Sequence, residues 1–387
     1  MNVFLDLIIE NYLSAHSDPE KYKLFASKEW SEIYLMKKNK YTNKNNIKNF
    51  RSDTVNLDYG ITDQSSKMDR IQNKAWSSHT LVELIQDYGY EFIFKNLNQK
   101  NVGNCENSHK IDGKFFDRYE LFFLNYYNDL LKNVFSSNKI NTIVEIGGGY
   151  GVLARIILNN HNCKYLSIDL PEQNLLQSYY LNESIPNLKK YLYNDYMNEK
   201  NNYVSNQSLE NNQVFILPPW AKFQDDFKVD LFINTRSMME MKLETIKTYF
   251  DFIHKHTNEN GYFYTINRYQ GNLKYNFPNL VDYPYDKNWD VKLSKKAFIH
   301  NHMHVLLTKR IFNNFKNNIK DEMEKIKKIS EKHKIKFYDL SFSKDYKLNI
   351  RVKRYLIAIA VFIIKLFPVK FIRKIGKGLL SMDHVNR

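Results

Sequence analysis

A glycine-rich segment between residues 144 and 151 carries the clearest chemical signal of the sequence. It reads Val144-Glu145-Ile146-Gly147-Gly148-Gly149-Tyr150-Gly151 and overlaps the apolar run Thr142–Ile146. Glycine lets a backbone turn tightly and approach a ligand closely, and the amides that open a following helix point at the same ligand. Asp169 lies 18 residues beyond Gly151, at the end of the next predicted strand, where a carboxylate accepts hydrogen bonds from ribose hydroxyls. The pattern therefore predicts a nucleoside-containing cofactor.

The spacing of the glycines separates two candidate cofactors. A dinucleotide-binding turn has the pattern G-x-G-x-x-G, but Val152 occupies the third glycine position here and Gly151 comes one residue early. Glu145 precedes the first glycine by two residues, and a carboxylate there suits the ammonium group of S-adenosylmethionine, directly or through water. The sequence thus favours S-adenosylmethionine over NAD, and a glycine-rich turn without a ligand is the structural alternative. The predicted cofactor-binding residues are Glu145, Gly147, Gly149, Gly151, Asp169 and Leu170.

A polar segment at residues 235–241 follows the predicted strand Asp230–Asn234. Ligands of open α/β sheets bind at the carboxyl ends of the strands, so this segment is expected to face the cofactor. S-adenosylmethionine donates a methyl group to an acceptor. If the acceptor is a hydroxyl group, it is a poor nucleophile while it is protonated, and a well-placed base accelerates the methyl transfer by roughly 10²–10⁴-fold. Glu240 is the first candidate for that base. Its structural alternative is a carboxylate in a first helical turn, stabilised by the helix dipole.

Three further side chains near these strand ends are predicted to contact the acceptor. The guanidinium of Arg236 suits bidentate binding of a carboxylate, either on an acidic substrate or on the cofactor. An ordinary salt bridge is the alternative for Arg236. Asn267 and Arg268 follow the predicted strand Gly261–Ile266, so they are expected to face the same cleft.

Three histidines alternate along the chain near residue 302. If residues 302–308 form a strand, His300, His302 and His304 share one of its faces. Histidines on one face are typical of a metal site or a catalytic base, so His302 and His304 are further candidates for the base. No paired acidic motif accompanies them, so a metal site is not assigned, and a polar structural role is the alternative.

Aromatic and acidic residues are interleaved a short distance before the histidines. They are Asp282, Tyr283, Tyr285, Asp286 and Trp289. Aromatic rings suit the apolar face of a sugar and carboxylates suit its hydroxyls, so Asp282, Tyr285 and Asp286 are predicted substrate contacts. Packing of this loop onto the domain is the alternative.

Short apolar runs alternate with helical segments from residue 141 onward, and this alternation positions the chemical groups. The predicted strands are Thr142–Ile146, Tyr165–Ile168, Val214–Leu217, Asp230–Asn234, Gly261–Ile266 and His302–Thr308. The alternation predicts a Rossmann-like α/β domain over residues 136–310, with a mostly parallel sheet and helices on both faces. Residues 1–135 are predicted to form a helical cap. Its helices are Val3–Ala15, Ser78–Leu97 and Phe115–Phe135, and loops are predicted at 37–49 and, within the sheet domain, at 186–212.

Several blocks of the sequence together carry a family resemblance. The blocks are IVEIGGGYGVLARIILNN and YLSIDLP from residue 143 onward, ILPPW at 216–220, DLFINTRSMMEM at 230–241, GYFYTINRY at 261–269 and YPYDKNW at 283–289. They resemble the sugar O-methyltransferases of bacterial surface-polysaccharide gene clusters, which are class I S-adenosylmethionine-dependent enzymes. The similarity covers residues 50–310 and leaves the chain after residue 311 unmatched. The resemblance implies a Rossmann-like fold and methyl transfer to a sugar hydroxyl of a surface glycan or its precursor.

The positive charge of the chain is concentrated in its C-terminal part. Residues 309–387 carry 21 Lys or Arg and 7 Asp or Glu, a net charge of +14, whereas the first 308 residues have a net charge of +1. Residues 311–387 are predicted to form a basic helical tail. Its ten apolar residues 355–364 are too few to cross a bilayer, which needs about 20. The tail is expected to bind an anionic membrane surface, and packing as a core helix is the alternative.

The cysteines and one motif bear on location and on rival functions. Cys105 and Cys163 belong to no CxxC pair, which indicates a reduced, cytoplasmic compartment. If the basic tail binds a membrane, the expected location is the cytoplasmic face of the inner membrane. Two rivals stay open: an NAD-dependent oxidoreductase acting on a sugar, and a non-catalytic glycan- or membrane-binding protein with a relic fold. Nucleic acid is not an expected partner, because the segment 217–220 (LPPW) lacks the amide or acid that opens an NPPY or DPPY motif.

Overall fold

The computed structural model describes residues 3–57, 67–201, 203–272, 275–298, 302–312 and 318–342, with the backbone alone described for 67–76 and 332–342. The N-terminal part is mainly helical. Its helices are α1 (Val3–Ala15), α2 (Pro19–Phe25), α3 (Lys28–Lys37), α4 (Lys44–Lys48), α5 (Lys67–Tyr88), α6 (Tyr90–Asn96) and α7 (Arg118–Leu130), which continues as a π turn over Leu131–Phe135. A hairpin of β1 (His109–Ile111) and β2 (Lys114–Phe116) precedes α7.

Apolar and β-branched runs form one mixed sheet at the centre of the molecule. Its strands are β3 (Thr142–Ile146), β4 (Lys164–Ile168), β5 (Lys190–Tyr191), β6 (Val214–Leu217), β7 (Val229–Thr235), β8 (Thr257–Arg268), β9 (Trp289–Lys296) and β10 (Met303–Arg310). Within the described residues the spatial order is β5-β6-β4-β3-β7-β8-β10-β9. Neighbouring strands are parallel except at β10, which is antiparallel to both β8 and β9.

The strand order reverses at β3, the first strand of the sheet. The chain places β4, β5 and β6 on one side of β3 and then β7 and β8 on the other. The connections that leave the carboxyl ends of β3 and β7 therefore diverge and open a crevice, which is where open α/β sheets bind ligands. This strand order confirms the predicted Rossmann-like α/β fold.

Helices cover both faces of the sheet and build two cores. They are α8 (Val152–Asn160), α9 (Pro171–Ser184), α10 (Tyr193–Met197), α11 (Asn206–Asn211), α12 (Leu243–His256) and α13 (Ile319–Phe342). Successive residues of a strand point to opposite faces, so Ile143 packs in the core with α7, α8 and α9, whereas Val144 packs in the core with α12. Both sides of the central strands are thus removed from water.

The N-terminal helices are anchored on the sheet through α1 and the start of α9. Glu172, in the first turn of α9, is fully buried. Its carboxylate accepts a hydrogen bond from the Tyr22 hydroxyl at 2.7 Å and contacts His16 Nε2 at 3.3 Å. The ring of His16 stacks on Tyr34 of α3, with centroids 4.5 Å apart. This cluster holds α2 and α3 against the edge of the sheet where the crevice opens.

The first part of the predicted tail is packed as a helix. Ile319 and Ile326 of α13 are buried in the core that includes α12. Glu322 accepts a 2.5 Å hydrogen bond from Ser294 in β9, and Gln270 donates to the carbonyl of Ser330 at 3.0 Å. Residues 343–387, and with them the apolar run 355–364, lie outside the described residues. Among the helices that the structure describes, none has the length and apolar character to cross a bilayer.

Several predicted elements differ from the structure. The segment 186–212 is not only a loop, since it contains β5, α10 and α11, and the segment 37–49 contains α4. The predicted helix 78–97 is two helices, α5 and α6, separated at Gly89, whose φ of +85° interrupts a helix. The β1–β2 hairpin was not predicted, because each of its strands has only three residues. Strand β9 was also missed, although Trp289, Val291 and Leu293 alternate with polar residues in its sequence.

Candidate functional site

A cleft of about 240 Å³ opens at the carboxyl ends of β3, β4, β7 and β8. Its lining includes four of the residues predicted to bind the cofactor, Gly147, Gly149, Asp169 and Leu170. It also includes three predicted acceptor-side residues, Arg236, Glu240 and Arg268. The structure therefore brings together residues that are up to 121 positions apart in the chain.

The glycine-rich turn forms one wall of the cleft because its backbone takes conformations that other residues avoid. Gly147 and Gly149 have φ values of +75° and +56°. A Cβ atom on Gly147 would lie 1.9 Å from Ser237 Oγ, so this glycine permits the close approach of β3 and the loop after β7. A Cβ atom on Gly149 would instead enter the open cleft, with only Tyr119 Oη nearby at 3.8 Å. Gly149 thus presents bare backbone to a ligand.

Asp169 joins the wall formed by the glycine-rich turn. Its Oδ2 accepts a hydrogen bond from the Gly149 amide at 2.8 Å, and its Oδ1 accepts one from the Leu170 amide at 2.7 Å. Burial raises the pKa of Asp169 to about 7, despite these two bonds, which favour the ionised form. A carboxylate has about four lone-pair sites, so two stay available for hydroxyls of a ligand.

Glu145 does not line the cleft; it lies behind the glycine-rich turn. Its side chain is fully buried, and Oε2 accepts a 2.6 Å hydrogen bond from the Tyr165 hydroxyl. A Cβ atom on Gly148 would lie 2.8 Å from this carboxyl, so the turn packs directly on it. Burial raises the pKa of Glu145 to about 7. The sequence predicted that Glu145 contacts the ligand directly or through water. In the structure Glu145 instead packs beneath the glycine-rich turn and supports it.

An asparagine pair fixes the polar turn after β7. Asn234 donates from Nδ2 to the carbonyl of Ile146 at 2.8 Å, and Asn267 donates from Nδ2 to Asn234 Oδ1 at 3.0 Å. Asn267 Oδ1 accepts from the amide of Met239 at 3.0 Å. Asn267 is fully buried with both ends of its amide engaged. Its predicted role as a substrate contact is corrected: it positions the turn that carries Arg236 and Glu240.

Arg236 projects into the cleft from an uncommon backbone conformation. Its φ is +70°, a left-handed value that few non-glycine residues adopt, and its amide donates to the carbonyl of Ile266 at 2.7 Å. Within the described part of the chain, its buried Nε has no hydrogen-bond partner and its guanidinium has no carboxylate within 4 Å. The salt bridge considered from the sequence is therefore absent among these residues.

Glu240 lines the cleft from the turn that follows β7. Its Oε1 is 3.9 Å from Arg268 Nη2, and Trp30 lines the same cleft. Burial raises the pKa of Glu240, although Arg268 and Arg236 oppose the rise. A carboxyl group with a raised pKa is a better proton acceptor when ionised, which is what base catalysis requires.

Of the three alternating histidines, the structure describes two, His302 and His304, and their surroundings differ. His302 lies close to Arg268 and Arg236; burial and these positive charges lower its pKa to about 4, so it is neutral near pH 7. His304 is buried outside the cleft lining, with Nδ1 3.0 Å from Tyr269 Oη and Nε2 2.8 Å from Ser294 Oγ. Both ring nitrogens of His304 are engaged, so its predicted catalytic role is corrected to a structural one. His300 lies outside the described residues.

The aromatic-acidic loop packs on the body of the domain and does not line the cleft. Asp286 forms a two-bond pair with Arg310, at 2.5 and 2.8 Å. Tyr285 packs edge-on against Phe250 of α12, with centroids 4.8 Å apart. Asp282 is exposed and accepts from the amide of Asn279 at 2.9 Å. Asp282, Tyr285 and Asp286 are therefore corrected from substrate contacts to packing and turn residues.

Residues from distant segments complete the cleft and were not predicted. They are Phe25, Ser27 and Trp30 from α2, α3 and their junction, Tyr119 from α7, Gln173 from α9 and Tyr249 from α12. Gln173 is buried, and its Nε2 is a donor without a partner among the described residues. A second hollow of about 370 Å³ shares Phe25, Ile168 and Tyr249 with the cleft and extends to Trp220.

The described residues contain no cluster of three or more His, Cys, Asp or Glu that could hold a metal ion. The two described histidines that the sequence raised as possible metal ligands have separate partners. His304 is hydrogen-bonded to Tyr269 and Ser294, whereas His302 lies close to Arg268 and Arg236.

Comparison with known proteins yields structural neighbours only. No family model matches the sequence, and no curated protein is matched at a significant level. The N-methyltransferase NodS from Bradyrhizobium japonicum WM9, solved with S-adenosyl-L-homocysteine, is 8% identical over 49% of this chain and 87% of its own, with a TM-score of 0.33. Geranyl diphosphate C-methyltransferase from Streptomyces coelicolor A3(2) is 10% identical over 48% and 76%, with a TM-score of 0.33. Likeness at this level identifies neither reaction nor substrate, so the chemistry must come from the site itself.

Proposed function

We propose that this chain is an S-adenosylmethionine-dependent methyltransferase. The observation that carries the proposal is the hydrogen bond from the Gly149 amide to Asp169 Oδ2, at 2.8 Å, which joins the glycine-rich turn and the second-strand acid in one wall of the cleft. The glycine spacing favours this cofactor over a dinucleotide, because Val152 takes the place of the third glycine of the dinucleotide pattern.

The residues of the cleft fit the chemical groups of this cofactor. Asp169 keeps acceptor capacity for ribose hydroxyls beyond its two amide bonds. The unpartnered Nε2 of Gln173 supplies a buried donor at the same wall. The open space over Gly149 lets a ligand approach the backbone. The cofactor, when bound, supplies a methyl group already activated on a sulfonium.

The turn after β7 and helix α3 supply what an acceptor hydroxyl needs. Glu240 is the proposed base: its carboxylate removes the hydroxyl proton, and the partly buried site with its raised pKa favours that transfer. Trp30 lines the same cleft and offers a flat apolar surface to the acceptor. Alignment of the hydroxyl by such groups accounts for most of what the protein must contribute to in-line transfer.

The proposed acceptor is a sugar hydroxyl of a bacterial surface glycan or of its precursor. This part of the proposal is supported by the resemblance of residues 50–310 to sugar O-methyltransferases and by the pairing of an aromatic ring with a carboxylate at the acceptor wall. We further propose a cytoplasmic location, with residues 343–387 binding the anionic inner face of the membrane, because these residues carry 11 Lys or Arg and 2 Asp or Glu.

Calorimetry with S-adenosylhomocysteine tests the cofactor assignment. The wild-type chain should bind in the micromolar range, about −8 kcal/mol, and Gly149→Val should abolish binding because its side chain enters the cleft. Gly113→Val is the matched control: Gly113 has a φ of +84° and open space around it, so the backbone strain is similar, but it lies in the distant β1–β2 turn. Binding of NAD instead of S-adenosylhomocysteine, or equal affinity in Gly149→Val, would refute the assignment.

Transfer itself is tested with S-adenosylmethionine carrying a labelled methyl group. A panel of nucleotide-linked sugars and free sugars would be offered as acceptors, and label retained on a sugar after acid hydrolysis would identify an O-methyl ether. Label on none of these acceptors, in a protein that binds S-adenosylhomocysteine, would reject the sugar assignment while leaving the cofactor assignment intact.

A further inference from the structure

Three arginines surround the acceptor side of the cleft. Arg236 and Arg268 line the cleft, and Arg118 opens helix α7 beside them. The guanidinium carbons of Arg118 and Arg236 lie 5.1 and 6.0 Å from the centroid of the Phe122 ring, so both cations share one aromatic surface. Against these three positive charges, Glu240 is the only described carboxylate within 4 Å of Arg236 or Arg268.

The arginines elsewhere in the fold are arranged differently. Each buried arginine outside the cleft, among those whose side chains the structure describes, forms an ion pair with an acid. The pairs are Arg51 with Asp117, Arg155 with Glu120 and Arg310 with Asp286. Arg236 is half-buried, and no carboxylate lies within 4 Å of it in the described part of the chain. A partly buried cation without a counter-ion is unfavourable, so a retained one indicates a ligand of opposite charge.

The neighbours of Arg236 report the same excess of positive charge. The pKa of Arg118 is lowered by burial and by Arg236. Burial, Arg268 and Arg236 hold the pKa of His302 near 4, so this ring adds no further charge at neutral pH. Glu240, 3.9 Å from Arg268 Nη2, is the described carboxylate beside them. Two cleft-lining arginines, Arg236 and Arg268, thus face one carboxylate at this corner of the cleft.

The backbone aims Arg236 at this corner. A left-handed φ of +70° is disfavoured for a residue with a Cβ atom and persists only where the surroundings hold it. Here the amide of Arg236 donates to Ile266, and the following residues are fixed by the Asn234–Asn267 pair. Such backbone strain is characteristic of binding sites.

We propose that Arg236, assisted by Arg268 and Arg118, binds an oxyanion carried by the methyl acceptor. The acceptor is then an acidic molecule, with a phosphate or carboxylate group near the hydroxyl that is methylated. The planar guanidinium fork of arginine matches both groups through two parallel hydrogen bonds. This inference rests on the proposed function, since it names the substrate class of the same cleft.

The test uses full-length protein saturated with S-adenosylhomocysteine and two probes, inorganic pyrophosphate and glucuronate. One of them should bind measurably by calorimetry at low salt: pyrophosphate indicates a phosphate-bearing acceptor and glucuronate a carboxylate-bearing one. Arg236→Asn should weaken that binding by tenfold or more, on the order expected for a charged hydrogen-bonded pair. Asparagine accepts left-handed backbone, so the turn should stay folded. Arg236→Lys, which keeps the charge, should recover part of the affinity.

Lys242→Asn is the matched control, because Lys242 is exposed just beyond the cleft and its loss changes net charge equally. Its probe affinity should equal that of the wild type. Equal weakening in Lys242→Asn, or binding of neither probe to the wild type, would overturn the proposal.

Binding of the cofactor carboxylate by Arg236 would also overturn the proposal. Two compounds separate this case: S-adenosylhomocysteine, which has the carboxylate, and 5′-methylthioadenosine, which lacks it. If Arg236→Asn weakens the first and spares the second, the arginine serves the cofactor. If the wild type binds neither compound, the proposed function itself fails, which is a different outcome from loss of the probe site alone.

Discussion

The amide of Gly149 donates to Asp169 Oδ2 at 2.8 Å, across 20 residues of chain. This bond connects the turn after β3 to the end of β4, so the shape of the glycine-rich turn depends on the state of one carboxyl group. Burial raises the pKa of Asp169 to about 7, which places its titration within the physiological range. The cofactor wall is therefore expected to respond to pH.

We expect the affinity for S-adenosylhomocysteine to rise with pH between about 6 and 8. Below its pKa, Asp169 is protonated and loses acceptor capacity for the amides and for ribose hydroxyls, so binding favours the ionised form and weakens as pH falls. Calorimetry across this range measures the effect. Asp169→Asn should bind about tenfold more weakly at pH 8 and show a flatter profile. A profile that persists in Asp169→Asn but disappears in Glu145→Gln would assign the titration to Glu145, whose pKa is also about 7.

Glu240→Gln should lower turnover by about 10²–10⁴-fold and leave cofactor affinity within twofold. The reason is that glutamine keeps the shape of the side chain but cannot take the proton of the acceptor. Because burial raises the pKa of Glu240, wild-type turnover should fall on the acid side, and the variant should lose this limb. Initial rates with labelled S-adenosylmethionine at several pH values provide the measurement. Glu29→Gln, a neighbouring acid on α3, is the control and should retain activity.

Asn267→Ala should reduce the free energy of unfolding by about 1–3 kcal/mol. The substitution leaves the amide of Met239 and Oδ1 of Asn234 without their buried partner. Urea denaturation, with unchanged slope and lower midpoint, measures the loss. Asn187→Ala is the matched control: Asn187 is exposed on a surface turn and its side chain makes no hydrogen bond within the described part of the chain, so the change should stay within about 0.5 kcal/mol. Similar losses in both variants would mean that the asparagine pair does not hold the turn after β7.

The sequence predicts which residues converge at the proposed cofactor wall, because these residues lie at the ends of parallel strands. Gly147 follows β3 and Asp169 follows β4, and adjacent parallel strands end at the same edge of a sheet. Arg236 and Glu240 follow β7 for the same reason. Once the strands are identified by their apolar runs, this convergence needs no knowledge of side-chain packing.

The other wall and the discarded candidates depend on tertiary contacts that local patterns do not contain. Trp30 reaches the cleft only because Glu172 anchors the N-terminal helices, a contact across about 150 residues. His304 lies on β10, which begins at Met303, and its polar partners come from β9 and from Tyr269 just after β8. The sequence predicted a strand here but could not indicate which partners the rings would meet.

Vesicle flotation should show that residues 343–387 bring the protein to anionic membranes. These residues carry 11 Lys or Arg and 2 Asp or Glu, and each basic residue near an anionic leaflet contributes about 1 kcal/mol, so five engaged residues suffice for reversible binding. The structure fixes where the chain must be cut for the comparison. A chain ending at Arg310 would lose α13 and uncover the core around Ile319 and Ile326, whereas one ending at Phe342 keeps that helix.

The full-length chain should float with anionic vesicles at low salt and remain below with zwitterionic vesicles or at high salt, because charge attraction is screened. The chain ending at Phe342 should not float with either kind, while its affinity for S-adenosylhomocysteine should match that of the full-length chain, since the cleft lining ends at Arg268. If the shortened chain floats, the membrane-binding residues lie before residue 343, within the part of the chain that it retains. If the full-length chain stays below in every condition, the membrane-binding proposal is wrong. The ten apolar residues 355–364 are then expected to pack against the protein, because that packing also removes their apolar surface from water.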